Sequence, residues 1–245
     1  MSEKPGSSRR AFLKGSAALA PVVVLATDLA GAQEKPAHDD LLGSDPGPGH
    51  VTHPGYQPSF FTPAEWAFVC AACDRLIPRD ETGPGALELG VPEYIDRQMQ
   101  TPYAVGERWY MQAPFIKAEP EFGYQSKLTP RDQYRLGARA MDDYCRKAFG
   151  KTFAELDIAH QDATLKAMEN GDIKDAFNLK GFFTGFLLKN TMEGYFGDPM
   201  YGGNKDMGSW KMIGYPGVRG DYKDWVTQYG RRYPYGPVSL HGRQA

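Results

Sequence analysis

The sequence has 245 residues, of which 41% are hydrophobic, 13% aromatic and 24% charged, and its formal net charge at neutral pH is −2. A chain of this length can bury one sizeable hydrophobic core. The balanced charge argues against a basic surface for nucleic acid, whereas the aromatic content fits either a core or an interface.

Residues 1–32 have the pattern of an export signal. The adjacent residues Arg9 and Arg10 precede an apolar run over residues 17–26, and Ala30-Gly31-Ala32 follows. A positive region, an apolar region and a small-residue stop are typical of a cleaved signal, and paired arginines are typical of twin-arginine export. The apolar run is shorter than the roughly 20 residues that cross a bilayer. We therefore predict cleavage between Ala32 and Gln33 and a periplasmic protein; an uncleaved N-terminal anchor is the alternative.

Residues 33–59 are rich in Pro, Gly, Asp and His and show no periodicity, which predicts a linker or an extended arm. His50 and His53 lie within this arm. They could bind a metal together, but the neighbouring prolines argue against a helix, and a site would need a third ligand. We therefore predict no metal site at this pair.

The domain over residues 60–245 is predicted to be helical. Thr62-Pro63-Ala64-Glu65 and Thr129-Pro130-Arg131-Asp132 both combine a capping hydroxyl, a proline at the first position and an acid three residues after the cap. Apolar residues at helical spacing follow each of them. Five helices are predicted: one from Thr62 to Pro78, and four over residues 91–100, 129–149, 160–169 and 174–196. The predicted fold is therefore an all-α, irregular helical bundle.

The last predicted helix, residues 174–196, is apolar over much of its surface, which favours a central position in the bundle. Its residues Gly181 and Gly185 are expected to let a neighbouring backbone approach closely. The segment 106–127 has no periodicity, and we expect a long irregular excursion there, with a functional or packing role.

The three cysteines, Cys70, Cys73 and Cys145, fall on predicted apolar helix faces. Cys70 and Cys73 form a C-x-x-C, but Asp74 occupies the position where a c-type haem motif has histidine. A zinc site would need more ligands, so small buried side chains are the simplest interpretation. An oxidising compartment would permit one disulfide, and Cys73 with Cys145 is the pair that we predict.

From Gly194 onward the chain is rich in glycine and aromatic residues, which predicts a long loop region. Such a region can be a surface that a partner covers, or a layer that packs on the chain's own helices. Long loops without regular secondary structure often have a function. We therefore expect the region to contact a partner through four aromatic side chains: Tyr201, Trp210, Tyr215 and Trp225.

The sequence contains no dinucleotide-binding, phosphate-loop or nucleophile-elbow motif. Four aspartates of the C-terminal loops could in principle perform acid–base chemistry: Asp198, Asp206, Asp221 and Asp224. No histidine lies near them in sequence, so turn capping or pairing with arginine is the simpler role. We predict no catalytic, cofactor-binding or metal-binding residue in this chain.

Two segments resemble the gluconate 2-dehydrogenase subunit 3 family. The first runs from Phe60-Phe61-Thr62-Pro63 through Asp74-Arg75-Leu76-Ile77-Pro78 to Val91-Pro92-Glu93-Tyr94-Ile95-Asp96. The second is Gly194-Tyr195-Phe196-Gly197-Asp198-Pro199-Met200-Tyr201-Gly202-Gly203-Asn204-Lys205-Asp206, continuing to Trp210-Lys211-Met212-Ile213-Gly214-Tyr215-Pro216-Gly217. The resemblance covers most of the chain from Phe60 onward.

This resemblance implies a helical small, or gamma, subunit that binds no flavin itself. It implies a large FAD-carrying dehydrogenase subunit as partner, and a multihaem cytochrome c subunit that anchors the complex to the membrane. It further implies that the small subunit supports the large one and carries the twin-arginine signal for both. Two alternatives stay open: an independent periplasmic enzyme that uses loop carboxylates or a metal at His50 and His53, and a sugar-binding module with stacking aromatics.

Overall fold

The computed structural model describes residues 55–116, 119–174 and 177–241. The predicted signal with Arg9 and Arg10, the cleavage site at Ala32 and Gln33, and His50 and His53 lie outside the described residues. Within the described residues, no helix is both long enough and apolar enough to cross a membrane.

The described chain is all-α, as predicted, and it has no β-strand beyond two isolated bridges. Its α-helices are α1 (Pro63–Leu76), α2 (Val91–Gln98), α3 (Pro130–Phe149), α4 (Ile158–Asn170), α5 (Leu179–Phe182), α6 (Leu188–Phe196) and α7 (Gly208–Ile213). Short 3₁₀ turns are Pro102–Val105, Pro120–Phe122, Phe153–Glu155, Pro199–Tyr201, Lys205–Met207 and Gly220–Trp225.

The capping signals form the structures that the sequence predicts. The Thr62 side chain accepts from the backbone N–H of Glu65, whose carboxylate accepts in return from the N–H of Thr62. Thr129 and Asp132 make the same reciprocal pair at the start of α3. Each pair satisfies backbone donors that a helix start leaves open.

The core lies around α1, which packs against α2, α3 and α4. Its large, fully buried side chains include Phe68, Tyr134, Met141, Phe153 and Phe182. Phe68 meets the rings of Phe153 and Phe182 at centroid distances of 5.4 and 6.5 Å. The apolar stripes of the predicted helices therefore converge in one core, as their spacing indicates.

The fifth predicted helix is divided in the structure. It starts only at Leu179, after the N-cap Asn178, and a π-helical turn over Phe183–Leu187 separates α5 from α6. This division and the short α7 account for seven helices instead of about five. The π-helical turn still lies at the centre of the bundle, because Phe183, Phe186 and Leu187 are buried.

Gly181 and Gly185 do not have the predicted role of admitting a neighbouring backbone. The atoms nearest to a Cβ at Gly181 belong to Asn178, the N-cap of α5, and Gly185 faces open space. The close approach occurs about two helical turns beyond the π-helical turn, at Gly194 of α6. A Cβ there would lie 2.7 Å from the ring of Tyr94 in α2.

Candidate partner interface

The two segments that carry the family resemblance meet in the structure, along the contact between α2 and the chain that follows α6. Glu93 of α2 is buried, and its carboxylate lies 2.6 Å from Arg97 and 2.6 Å from Lys205. The backbone N–H of Lys205 also donates to the carbonyl of Leu89, which precedes α2. A buried acid with two cationic partners thus holds the second segment on the first.

Two glycines permit this contact. The backbone of Gly203 lies so close to Gly194 that a Cβ at Gly203 would overlap the carbonyl oxygen of Gly194. Gly194 in turn faces Tyr94 and Val91 of α2. The chain after α6 can therefore fold back on α6 and α2 only because these positions lack side chains.

The fold-back is fixed by a buried polar network around Asn204 and Ser209, neither of which is exposed. The amide of Asn204 donates to the carbonyl of Gly197 at 2.9 Å and accepts from the N–H of Ser209 at 3.0 Å. The hydroxyl of Ser209 donates to the carbonyl of Tyr195 at 2.5 Å. Asn204, Asp206 and Met207 have positive φ, a conformation that non-glycine residues rarely adopt without compensating contacts.

Trp210 lies inside this layer and is only 5% exposed. Its indole N–H donates to the carbonyl of Phe196 at 2.7 Å, and its ring packs edge-on against Tyr215 at 5.1 Å. The structure therefore corrects the expectation that Trp210 itself contacts a partner, because its surface is already occupied by the chain's own loops. Trp210 instead supports its exposed neighbours.

The other three predicted interface residues reach the surface. Tyr201 is 46% and Tyr215 47% exposed, while Trp225 is half-buried. More than half of the large hydrophobic side chains exposed in the described residues come after Tyr195. They include Phe196, Met200, Met212, Ile213 and Val218. The base of the region packs on the chain's own helices and its outer face is exposed. A concentration of exposed apolar side chains is typical of an interaction surface, and the contact with a partner stays a prediction.

The family model for gluconate 2-dehydrogenase subunit 3 matches residues 63–217, which is more than half of the chain. This chain belongs to that family. Comparisons with the curated proteins and with the solved structures found no match.

The subunit 3 match begins at the first residue of α1 and ends at Gly217. Apart from Phe60, Phe61 and Thr62, both resembling segments lie within it, as do the α2 contact and the layer around Trp210. Membership of this family implies a complex with other subunits of a gluconate 2-dehydrogenase. Residues 218–241, including Trp225, follow the matched part.

A second anchoring point joins the end of the predicted arm to α2. Asp96 is fully buried and accepts five hydrogen bonds: from the Tyr56 hydroxyl, the hydroxyl and N–H of Ser59, and the N–H groups of Phe60 and Phe61, at 2.8–3.0 Å. Burial opposes the charge, but these hydrogen bonds outweigh it and lower the pKa of Asp96. The carboxylate thus fixes the chain where it enters the domain.

The ring of Phe60 reinforces this point. Two guanidinium groups of α3 lie over this ring, those of Arg131 at 5.4 Å and Arg135 at 4.2 Å from the ring centroid. Arg135 also donates to the Phe60 carbonyl at 2.9 Å and pairs with Glu65 of α1. The segment 56–61 is therefore held by α1, α2 and α3 together.

No local pattern predicted a specific role for Glu93, Asp96, Lys205, Asn204 or Ser209, although all five lie in or beside the resembling segments. Acidic residues near a helix start are ordinarily solvated or interact favourably with the positive end of the helix dipole. Only the family motif singled out these positions, because burial and long-range pairing leave no periodic signal.

The four loop aspartates are not brought together as a catalytic group. Asp198 accepts from the N–H groups of Met200 and Leu240, and Asp221 accepts from the Tyr233 hydroxyl. The Asp206 side chain is exposed within the strained turn, and Asp224 is exposed in the 3₁₀ turn Gly220–Trp225. Asp198 and Asp221 thus have the structural roles of capping and pairing.

The three cysteines are buried and unbridged, and the predicted disulfide between Cys73 and Cys145 is not formed in the structure. Cys73 lies 3.5 Å from the Thr191 hydroxyl. Burial raises the pKa of Cys73 and of Cys145 to about 12, so both thiols are protonated at neutral pH.

Within the described ranges, no three His, Cys, Asp or Glu side chains group as metal ligands. Two shallow depressions in the same ranges have volumes of about 150 and 190 Å³. The first lies beside Ala64 and Asp142, the second beside Phe149 and His160. Small-molecule sites usually occupy about 300–1,000 Å³.

Proposed function

We propose that this chain is the non-catalytic small subunit of a periplasmic-facing, FAD-dependent dehydrogenase complex of the gluconate 2-dehydrogenase type. In this proposal FAD belongs to a large partner subunit and haem c to a cytochrome subunit that holds the complex at the membrane. The small subunit stabilises the large one and brings it to the twin-arginine translocase.

The observation that carries the proposal is the exposed apolar face of a layer whose base is rigidly fixed. Trp210, Asn204 and Ser209 hold that layer from inside, while Tyr201 and Tyr215 remain uncovered. Rigid support lowers the entropic cost of binding, because the side chains are ordered before the partner arrives. A surface of this kind suits a permanent subunit contact.

The export role rests on the sequence pattern around Arg9 and Arg10 and on the family membership. The twin-arginine route carries folded proteins, so a flavin-loaded subunit without its own signal could travel with a folded escort. The escort's signal would then serve both chains.

The test is co-expression of this chain with the flavin-bearing large subunit, followed by affinity purification through a tag on this chain. The proposal expects a stoichiometric complex with a flavin absorption spectrum and dye-linked gluconate oxidation, and no activity in this chain alone. Activity in the isolated chain, or failure to co-purify the flavin subunit, would contradict the proposal.

Export is tested separately by replacing the arginine pair, as Arg9→Lys with Arg10→Lys. Both subunits should then stay in the cytoplasmic fraction, whereas Lys4→Arg, which alters a basic residue outside the pair, should leave both in the periplasm. Periplasmic large subunit in the Arg9→Lys, Arg10→Lys strain would show that the large subunit does not depend on this signal.

A further inference from the structure

The chain that follows the family match forms a closed loop over residues 219–236, here called the C-terminal loop. Its two ends are joined where the Val218 N–H donates to the Val238 carbonyl at 2.9 Å and the Val238 N–H donates to the Pro216 carbonyl at 3.2 Å. The Arg219 guanidinium also donates to the Gly236 carbonyl at 2.7 Å. The 18 residues of the C-terminal loop slightly exceed the usual length of an Ω-loop, but the loop has the same adjoining ends and internal packing, and loops of that kind are frequently functional.

The C-terminal loop is packed by its own aromatic rings. Tyr233 lies at the centre, with edge-on contacts to Tyr222 at 5.0 Å, Trp225 at 5.6 Å and Tyr235 at 5.5 Å. Its hydroxyl donates to Asp221 at 2.7 Å. These contacts are all made within the loop, so its own side chains pack against one another.

Arginine side chains cover two edges of this ring cluster. The guanidinium of Arg219 lies 5.3 Å from the centre of the Tyr235 ring, and that of Arg231 lies 5.4 Å from the Trp225 ring. Outside the cluster, Tyr229 is 90% exposed and Val226 is also exposed. Tyr229 is thus a large side chain at the loop surface whose removal would cost the fold little.

The composition of the loop differs from that of the rest of the chain. Eight of its 18 residues are Trp, Tyr or Arg, the three types enriched in the residues that dominate protein–protein binding energy. It carries four basic and two acidic side chains, although the whole chain has a net charge of −2. The loop is therefore a locally positive, aromatic surface on an otherwise acidic protein.

We propose that the C-terminal loop is a second docking element, which binds an acidic surface of the flavin-bearing subunit with Tyr229 as an anchor. This inference rests on the proposed function and adds a contact beyond the matched part of the family. The positive loop charge would steer the encounter with an acidic face, and the ordered rings would limit the entropy lost on binding.

An anionic membrane is the other surface that basic and aromatic residues can bind. Membrane-surface segments are typically amphipathic helices with a continuous apolar face. The C-terminal loop instead contains only a 3₁₀ turn, and the Tyr233 hydroxyl and two arginines are committed to contacts within the loop. These features favour a protein surface.

The test measures the affinity of the full-length chain for the purified flavin-bearing subunit by biolayer interferometry at low and high salt. Tyr229→Ala should weaken binding about tenfold or more. Its matched control is Tyr110→Ala, which removes another tyrosine that is 80% exposed, in the 106–127 excursion. Melting curves confirm that each variant is folded.

Charge is tested with Lys223→Glu and Arg232→Glu together, two exposed basic residues of the loop. This variant should bind at least tenfold more weakly at low salt and lose most of the salt dependence. The control, Arg139→Glu with Lys147→Glu, makes the same charge change on the exposed face of α3 and should bind like the wild type.

The outcomes separate the two proposals. No binding of the wild-type chain would overturn the subunit role and, with it, the docking role of the loop. Normal binding by Tyr229→Ala and by the loop charge variant would overturn the docking role alone. The docking role would also be overturned if the loop variants bound the subunit normally but no longer sedimented with phosphatidylglycerol vesicles. That result would show that the loop binds a membrane.

Discussion

The carboxylate of Glu93 and the ammonium group of Lys205 lie 2.6 Å apart, although the two residues are separated by most of the helical domain. Glu93 is nearly fully buried, and Lys205 is about one-third exposed. This pair joins α2 to the turn that starts the C-terminal layer. The position of the exposed Tyr201 and Tyr215 therefore depends on a contact that neither residue makes.

Replacing Lys205 by methionine should lower the free energy of unfolding by about 1–3 kcal/mol, because the buried Glu93 then keeps only Arg97 as a cationic partner. Urea denaturation measures the change. Lys189→Met is the control, since Lys189 and Glu193 lie 3.8 Å apart on an exposed face, and it should cost less than about 0.5 kcal/mol. Equal losses in the two variants would contradict the special role of the Glu93–Lys205 pair.

Gly203→Ala should destabilise the chain by about 2–3 kcal/mol, because its Cβ would overlap the Gly194 carbonyl and the backbone cannot easily move. The same substitution at Gly185 meets open space and should be neutral, or stabilise by up to about 1 kcal/mol through helix propensity. Thermal unfolding compares the two variants. A melting temperature of Gly203→Ala equal to that of the wild type would argue against the close backbone contact.

Asp96→Asn should lower the free energy of unfolding by about 3 kcal/mol at neutral pH, because several donors lose a charged acceptor. The pKa of Asp96 is lowered in the folded chain. The stability that the Asp96 carboxylate contributes is therefore fully present above the unfolded pKa of about 3.9. It is lost as the pH falls through that value toward the folded pKa.

The wild-type chain should accordingly lose more stability than Asp96→Asn when the pH falls from about 6 to about 3, and urea denaturation at each pH measures this difference. Asp143→Asn, at an exposed position of α3, serves as the control and should keep the wild-type slope. Parallel pH profiles for the wild type and Asp96→Asn would refute the role of Asp96.

Thiol labelling distinguishes free cysteines from the predicted disulfide. Because burial raises the pKa of Cys73 and Cys145 to about 12, the native chain should react slowly with a thiol reagent at pH 8. In urea without reductant, three labelled thiols per chain correspond to the structure, whereas a single labelled thiol, at Cys70, corresponds to a Cys73–Cys145 bridge.

Trp210→Ala should cost about 3–5 kcal/mol, because a buried indole and its hydrogen bond to Phe196 are lost. Tyr201→Ala should change the free energy of unfolding by less than about 0.5 kcal/mol, since about half of Tyr201 is exposed. Chemical denaturation separates the two residues. If Tyr201→Ala were instead the more damaging change, the assignment of Trp210 as support and Tyr201 as surface would be reversed.

Local patterns predicted the starts of α1 and α3, since a capping box involves residues only three positions apart. The end of α3 at Gly150 also followed from local chemistry, because glycine readily adopts the left-handed conformation found there. The start of α5 was predicted several residues too early. Apolar spacing alone could not reveal that Asn178 would cap this helix with its own backbone at positive φ.

For the interface, the sequence by itself determined the chemistry: aromatic, glycine-rich loops after α6 and no motif for catalysis. Only the tertiary structure decided that Trp210 lies inside while Tyr215 lies outside, because the two differ in long-range contacts and not in residue type or local spacing. The same holds for Gly194 and Gly203, whose close approach joins distant backbones. Local patterns fix which helices form, whereas burial depends on which distant surfaces meet.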